Sequence, residues 1–333
     1  MQQQTLSGNA FQSTSYATRK RIFLDEMNCV VPWDSLLALI APHAPAADKP
    51  KGGRPPIALA TMLRIHFIQQ WFGLSDPAMQ EALHDVPLYR EFAGIELGDD
   101  RLPDETTILR FRHLLQKHKL AEQIFASVSQ HLKDRGLTLR EGTIVDATLI
   151  AAAPSTKNKD KARDPEMHQS KKGNQWYFGM KAHIGVDECS GLVHSVIGTS
   201  GNVADITQAH ALLHGQESHA SGDAGYQGVD KREDAKPGIK WAISMKRGKR
   251  KALDKETQEG RLADDIETIK SQIRAKVEHP FRVLKCQFGF RKVRYKGLEK
   301  NTAQIKTLFA LVNIWMARHI LMSEQPQVRV QGA

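Results

Sequence analysis

Cysteine is scarce in this chain of 333 residues, and Cys29, Cys189 and Cys286 stand far apart. That spacing excludes a Cys-x-x-Cys metal site and a disulfide framework, and it fits a reducing compartment. Long apolar runs are missing too: no stretch approaches the ~20 residues of a membrane span. The segment from Met1 to Tyr16 is rich in Gln, Ser and Thr and lacks the apolar core of a secretion signal, so it reads as a disordered tail. There is no internal repeat. The expected address is cytoplasmic, with no membrane partner.

What is present is an ordinary globular composition with a basic excess. Hydrophobic residues make up 41%, and Lys plus Arg outnumber Asp plus Glu by 47 to 37, a net charge of +10. A pI of about 9.4 points to a polyanionic partner, and in a chain without membrane signals nucleic acid is the better one.

From Ile57 to Gly136 the periodicity is helical. Leu59, Met62, Leu63, Ile65 and Ile68 form a mostly apolar helix that Gly73 closes. Ser75-Asp-Pro-Ala and Pro103-Asp-Glu-Thr-Thr are helix starts, each with a capping side chain. The helix from Asp104 to Lys117 shows Thr106, Thr107, Arg110, Arg112 and His113 on its polar side. Short polar and basic residues near a helix N-terminus suit major-groove reading, and Arg110 and Arg112 are candidate DNA contacts. Arg54, in Lys-Gly-Gly-Arg-Pro-Pro, is either a minor-groove arginine or part of a stiff linker.

After Gly136 the texture changes to strands. In Thr143 to Ile150, alternation sets Ile144, Asp146 and Thr148 on one face. Residues 154–175 read as a long polar loop. Tyr177 to Asp187 alternates again, and the Cys189-Ser-Gly turn returns the chain as a hairpin. Helices are expected over 202–213 and 226–235, short strands at His219–Asp223 and Ile239–Met245, and a basic loop over 246–255. Glu299 to Met322 closes the chain as a long apolar helix. Lys171, Lys172, Trp176, Lys181 and His183 cluster around the second strand and are candidate DNA contacts. Trp176 either stacks on an unpaired base or packs in the core.

Three acids stand out. Asp146 and Asp223 sit at strands, and Glu278 lies in Arg-Ala-Lys-Val-Glu-His-Pro-Phe-Arg-Val-Leu-Lys, residues 274–285. Ile266, Ile269, Ile273 and Val277 make an apolar stripe, which predicts one helix anchored on that side. Arg274 and Glu278 are then one turn apart, with Lys285 two turns further on. Pro280 should kink this helix just after Glu278. Three carboxylates from two strands and a helix can hold two divalent cations for phosphodiester displacement. Arg274 and Lys285 would steady the phosphate.

At these residues the chain resembles the DDE transposases of the bacterial insertion-sequence-five family. The likeness runs from about Arg19 to Met322. It rests on Thr61-Met-Leu-Arg-Ile-His66, Leu102-Pro-Asp-Glu-Thr-Thr107, Val145-Asp-Ala-Thr148, Asp164-Pro-Glu-Met-His168, Lys171-Lys-Gly-Asn174, Gly179 to Asp187, Asp223-Ala-Gly-Tyr-Gln-Gly228 and residues 274–285. The resemblance implies an α/β fold: an RNase-H-like mixed sheet with flanking helices over 137–322, preceded by an all-α DNA-end-binding region over 19–136. Residues 1–18 and 323–333 would be tails. It implies that Asp146, Asp223 and Glu278 are the metal-binding catalytic triad, with Arg274 and Lys285 as signature cations. Mg²⁺ would be the cofactor, Mn²⁺ its substitute, and the address bacterial and nucleoid-associated. The partners would be double-stranded DNA (terminal inverted repeats and target) and at least a second copy of the chain. Related families carry a tyrosine three residues before the arginine; Ser271 stands there, so that role does not carry over.

Rival readings differ in chemistry. A tyrosine recombinase would use His279, Arg282 and Tyr295, leaving the aspartates unexplained. A non-catalytic DNA-binding descendant would not need all three acids, and a metal-dependent nuclease would use the same site without strand transfer. Cys189, in a hairpin turn, is a poor nucleophile.

Overall fold

The N-terminal periodicities fold as expected, into helices closed by capping side chains and left-handed glycines. The computed structural model describes residues 16–45, 56–96, 101–138, 141–159 and 161–323. Among the described residues seven α-helices come first: α1 (Arg19–Val30), α2 (Trp33–Ile40), α3 (Leu59–Phe72), α4 (Asp76–Asp85), α5 (Pro87–Ala93), α6 (Glu105–Lys117) and α7 (Leu120–Asp134). Asp104 caps α6 by accepting from the Thr107 amide at 2.7 Å, and Ser75 caps α4 through the Ala78 amide. Gly73 ends α3 at φ 63°.

The sheet begins with β1 (Gly142–Ala151). It continues through β2 (His168–Lys172), β3 (Gln175–Asp187), β4 (Val193–Ser200), β5 (His219–Gly222) and β6 (Lys240–Ile243). β3 pairs antiparallel with β1 and, on its other edge, with β4; β5 and β6 join β1 in parallel. An antiparallel meander followed by two parallel strands on the other side of β1 is the RNase-H-like arrangement. β2 is an addition. It shares the β4 edge of β3 but pairs with the earlier stretch, Lys171 opposite Trp176 and His168 opposite Gly179.

Three expectations change here. The polar loop over 154–175 contains β2, missed because an exposed edge strand of five polar residues has no apolar alternation. Residues 202–213 and 226–235 are not α-helices. They hold short 3₁₀ turns at Asp205–Gln208, His210–Leu212, Ala224–Tyr226 and Val229–Lys231. The basic loop contains a short helix, α8 (Arg247–Lys251). The two tails and Arg54 lie outside the described residues, apart from 16–18 and Ser323.

The last helices are α9 (Gln258–Ala275), α10 (Glu278–Arg282) and α11 (Leu298–Ser323), with a π turn over Val283–Gln287. α11 joins the two halves of the molecule, packing on α7, α1 and β4. One core takes Ile144 and Ile150 of β1, the even-numbered side chains of β3, the N-terminal helices and α11. The other sheet face packs Val145 on Leu212, Leu213, Tyr226 and Val229. By length and hydropathy α11 could cross a membrane, but 61% of its apolar window is buried inside the fold. Its Asn313 is buried and both donates to and accepts from the Val193 backbone, at 2.7 and 2.9 Å, which ties β4 to the helix.

Candidate active site

Strand register brings the two aspartates together. β1 and β5 pair in parallel with Ile144 opposite Ser221. Two residues further along the chain in each case, Asp146 on β1 and Asp223 just past the end of β5 come to neighbouring positions. β5 ends at Gly222, and the Asp223 side chain caps the following turn through the Gly225 amide at 2.8 Å. Asp146 accepts from the Ala147 amide at 2.7 Å and is contacted by Arg274 Nη1 at 3.5 Å. Its carboxyl is pushed up to about 7, first by burial and then by repulsion from Asp223 and Glu278, while the Ala147 bond and Arg274 oppose the shift.

The helix carrying Arg274 and Glu278 is broken. α9 ends at Ala275, Lys276 and Val277 form the break, and Glu278 opens α10. Pro280 therefore sits in the first turn of a new helix, where its missing N–H costs nothing, and the kink lies before Glu278 rather than after it. Arg274 reaches the aspartate strand instead of pairing with Glu278 one turn away. Lys285 lies in the π turn and donates to Thr148 Oγ1 at 2.6 Å and to the Leu149 carbonyl at 3.0 Å. Its ammonium is held below the usual lysine range by burial and by Lys172 and Arg291, with Glu278 opposing. Lys172 and Glu278 thus share the electrostatic surroundings of Lys285.

The anchoring stripe behaves differently from its prediction. Val277 is buried, but Ile266 and Ile269 are 44% and 55% exposed. α9 instead turns its polar side inward. Glu267 accepts from the Met245 amide at 2.7 Å, and Lys270 donates to the Ile243 carbonyl at 3.1 Å.

A carboxylate cluster of this kind fits divalent cations. Burial first, and then the neighbouring carboxylates, disfavour the ionised form of Asp146, and a bound cation would favour it. The Tyr226 hydroxyl is buried without a hydrogen-bond partner among the described residues, and its ionisation is pushed up by burial and by Asp146, Asp205 and Asp223. An orphaned hydroxyl near Asp146 and Asp223 suits a hydrated ion.

The candidate DNA contacts divide. Lys171, Lys172 and Trp176 stand exposed on the β2–β3 hairpin, where Gly173 turns the chain at φ 62°. Trp176 is 62% exposed, so it is not a core residue. Lys181 and His183 do not face the Asp146 side of the sheet, where strand alternation was expected to aim them. They lie on the opposite sheet face from Asp146, Lys181 opposite Leu149 and His183 opposite Ala147 in register. Lys181 donates to Asp205 Oδ1 at 2.8 Å and the Val203 carbonyl at 2.7 Å. His183 is fully buried against Thr199 Oγ1 at 2.7 Å. Arg110 and His113 are exposed on α6. Arg112 is turned inward: it pairs with Asp76 at 2.7 Å and covers the Tyr295 ring at 4.4 Å. Tyr295 is thereby a packing residue, which removes the nucleophile a tyrosine recombinase would need.

Sequence reasoning missed Thr148, Asp205 and a second cluster. His194, His214 and Glu217 offer ligand atoms within 4.8 Å of one another. They gather behind the start of β1, where Glu217 accepts from Thr143 Oγ1 at 3.0 Å and from the His214 and Gly215 amides at 2.6 and 2.7 Å. That carboxylate is already satisfied, and the cluster ties β1 to the turn before β5. Thr148 was within reach of the sequence, two residues after Asp146 on the same strand face.

An RNase-H-like sheet with acids on neighbouring strands and a third on a helix defines the class. A profile described as "Transposase DDE domain" matches residues 137–314, and one described as "Transposase domain (DUF772)" matches 12–114. The chain belongs to the DDE-domain transposase family. Among solved structures it is similar to a chain of the piggyBac transposase synaptic complex with hairpin DNA, at 10% identity and a TM-score of 0.43, over 90% of this chain and 73% of that one.

Proposed function

We propose that this protein is the transposase of an insertion sequence of the insertion-sequence-five type, acting in the bacterial cytoplasm on the terminal inverted repeats of its own element. The observation that carries the reading is the neighbouring placement of Asp146 and Asp223, with Glu278 and Arg274 brought to them by a broken helix. Asp146, Asp223 and Glu278 would hold two Mg²⁺ ions, for which Mn²⁺ substitutes. Bound there, the ions supply activation of the attacking oxygen and stabilisation of the leaving one in phosphodiester cleavage and strand transfer. Arg274 offsets charge at Asp146 and the scissile phosphate. Lys285 holds the Asp-Ala-Thr strand end in place through Thr148 and lends positive charge to the backbone.

Lys171, Lys172 and Trp176 reach DNA from the hairpin on one side, and Arg110 reads a groove from α6. Residues 19–136 then form the end-binding domain and 137–322 the catalytic one. Incubating a labelled element end with the protein and Mg²⁺ or Mn²⁺ on a denaturing gel tests this. Wild type should nick at the end and transfer the 3′-hydroxyl strand. Asp146→Asn, Asp223→Asn and Glu278→Gln should each bind the end and cut it about 10³-fold more slowly. Wild-type cleavage by any of these variants removes that residue from the triad, and nicking without transfer leaves a metal-dependent nuclease.

A further inference from the structure

The segment between β6 and α9 carries more positive charge than the fold uses. Residues 246–255, Lys-Arg-Gly-Lys-Arg-Lys-Ala-Leu-Asp-Lys, hold six cations against one acid. Arg250 and Lys255 both pair with Asp264 of α9, at 2.6 and 2.9 Å, which pins the segment to that helix. The side chains of Lys246, Arg247, Lys249 and Lys251 are exposed and have no ion-pair or hydrogen-bond partner among the described residues. Four like charges within six residues repel one another, and Arg247 and Lys251 stand one turn apart on α8. A polyanion relieves all four at once.

We propose that Lys246, Arg247, Lys249 and Lys251 hold the duplex that flanks the element, on the far side of the scissile phosphate from the terminal repeat. The inference rests on the proposed function and adds to it where the DNA beyond the cut lies. β5 and β6 run parallel with Gly222 opposite Ile243. Asp223 and Ser244 therefore leave the sheet at the same edge, where the Ser244 amide donates to the Gly222 carbonyl at 3.1 Å. The basic segment starts two residues later. The strand order β2-β3-β1-β5-β6 places it on one flank of the aspartates and the hairpin of Lys171 and Lys172 on the other. α11, which carries the N-terminal helices, packs on β4, and so on the hairpin's side of the sheet. A duplex whose repeat is held on that side and crosses the acids continues toward β6. β6 is two strands from β1, roughly 10 Å, or about three base-pair rises of ~3.4 Å. The four cations then meet phosphates from about the third base pair of the flank outward. Contacts to phosphate carry no sequence information, so any flanking sequence suits them.

Fluorescence anisotropy of the full chain without metal, over a salt series, tests this. The probes are duplexes of the terminal repeat, cut flush at the element end or extended by about ten base pairs of flank, one helical turn, with a random duplex of equal length beside them. The flank should tighten wild-type binding at least about tenfold and steepen its salt dependence by about 3–4, at about 0.9 for each phosphate neutralised. Arg247→Gln, Lys249→Gln and Lys251→Gln together should lose most of that gain. The same variant should bind the flush end as wild type does, which also reports that it is folded. The inference is overturned if the flank adds nothing to wild type, if the triple variant keeps the gain, or if it loses as much on the flush end as on the extended one. A wild type that binds the repeat no better than the random duplex overturns the proposed function, and this inference with it.

Discussion

α9 and α11 carry similar apolar periodicities and have opposite fates. α11 is buried on nearly every side, with Ile305, Leu308, Phe309, Leu311, Val312 and Ile314 essentially inaccessible. α9 presents its isoleucines outward and fixes itself by ionic and backbone contacts. The difference lies in what each helix must do. α11 is the shared wall of the N-terminal helices and the sheet, so hydrophobic burial decides its orientation. α9 must aim Arg274 at Asp146, so its polar side is inward.

The comparison breaks first on stability. Phe309→Ala should cost about 3–5 kcal/mol by denaturant unfolding, whereas Ile269→Ala should stay within about 0.5 kcal/mol. Comparable losses would mean that α9 is a core helix after all. Arg274→Ala sharpens the contrast from the other side. It should slow end cleavage about 10²-fold while changing unfolding by less than about 1 kcal/mol, because its ion pair is partly exposed.

A smaller effect separates the apolar and polar surfaces of α11. Gln304 and Thr307 of that helix line a cavity of about 40 Å³ together with His66, Gln70, Arg112 and Tyr295. Burial, with Arg112 adding repulsion, lowers His66 to about 4 from 6.5. The unfolded chain therefore binds the proton more tightly, and stability present above pH 6.5 is lost as pH falls toward 4. At pH 5 this amounts to about 2 kcal/mol. His66→Met should flatten the fall in melting temperature between pH 7 and 5, and an unchanged slope would assign the acid sensitivity elsewhere. The smallest effects belong to the exposed hairpin and α6. Trp176→Ala should spare stability and weaken binding to frayed ends by roughly 1 kcal/mol. Lys171→Ala with Lys172→Ala should lower the salt slope of binding by about 1–2. Arg110→Ala should cost about 1–3 kcal/mol on specific ends and less on random DNA.

The sequence was most legible where local pattern and function coincide. Asp146 stood out because β-branched residues flank it in a strand, and Asp223 because a Gly-rich turn follows it. The α9 stripe was legible as a stripe but not as an exposed one, since periodicity reports a face and not what covers it. Arg112 was misread for the same reason. A basic residue on a helix looks solvated until Asp76 and Tyr295, 36 residues upstream in one case and far downstream in the other, are folded against it. The 3₁₀ turns over 202–213 and 226–235 follow from short polar residues whose side chains compete for the backbone, which a count of helix formers does not register.

The hairpin of β2 and β3 is suspended from the sheet by little. Beyond Met180, which still pairs with both Ile150 and Ser200, its ties to β1 are the Ala151–Gly179 pair and the amide of Ala152 bonded to the Phe178 carbonyl at 2.8 Å. Gly179 is required at that junction, since a Cβ there would collide with the Ile150 carbonyl. Outward of it, the positions from His168 to Tyr177 pair only between β2 and β3. Such a finger can drift in length and composition while the catalytic register stays fixed. Among descendants of one ancestor, the DNA contact proposed for the hairpin can then evolve at a faster rate than the proposed catalytic centre.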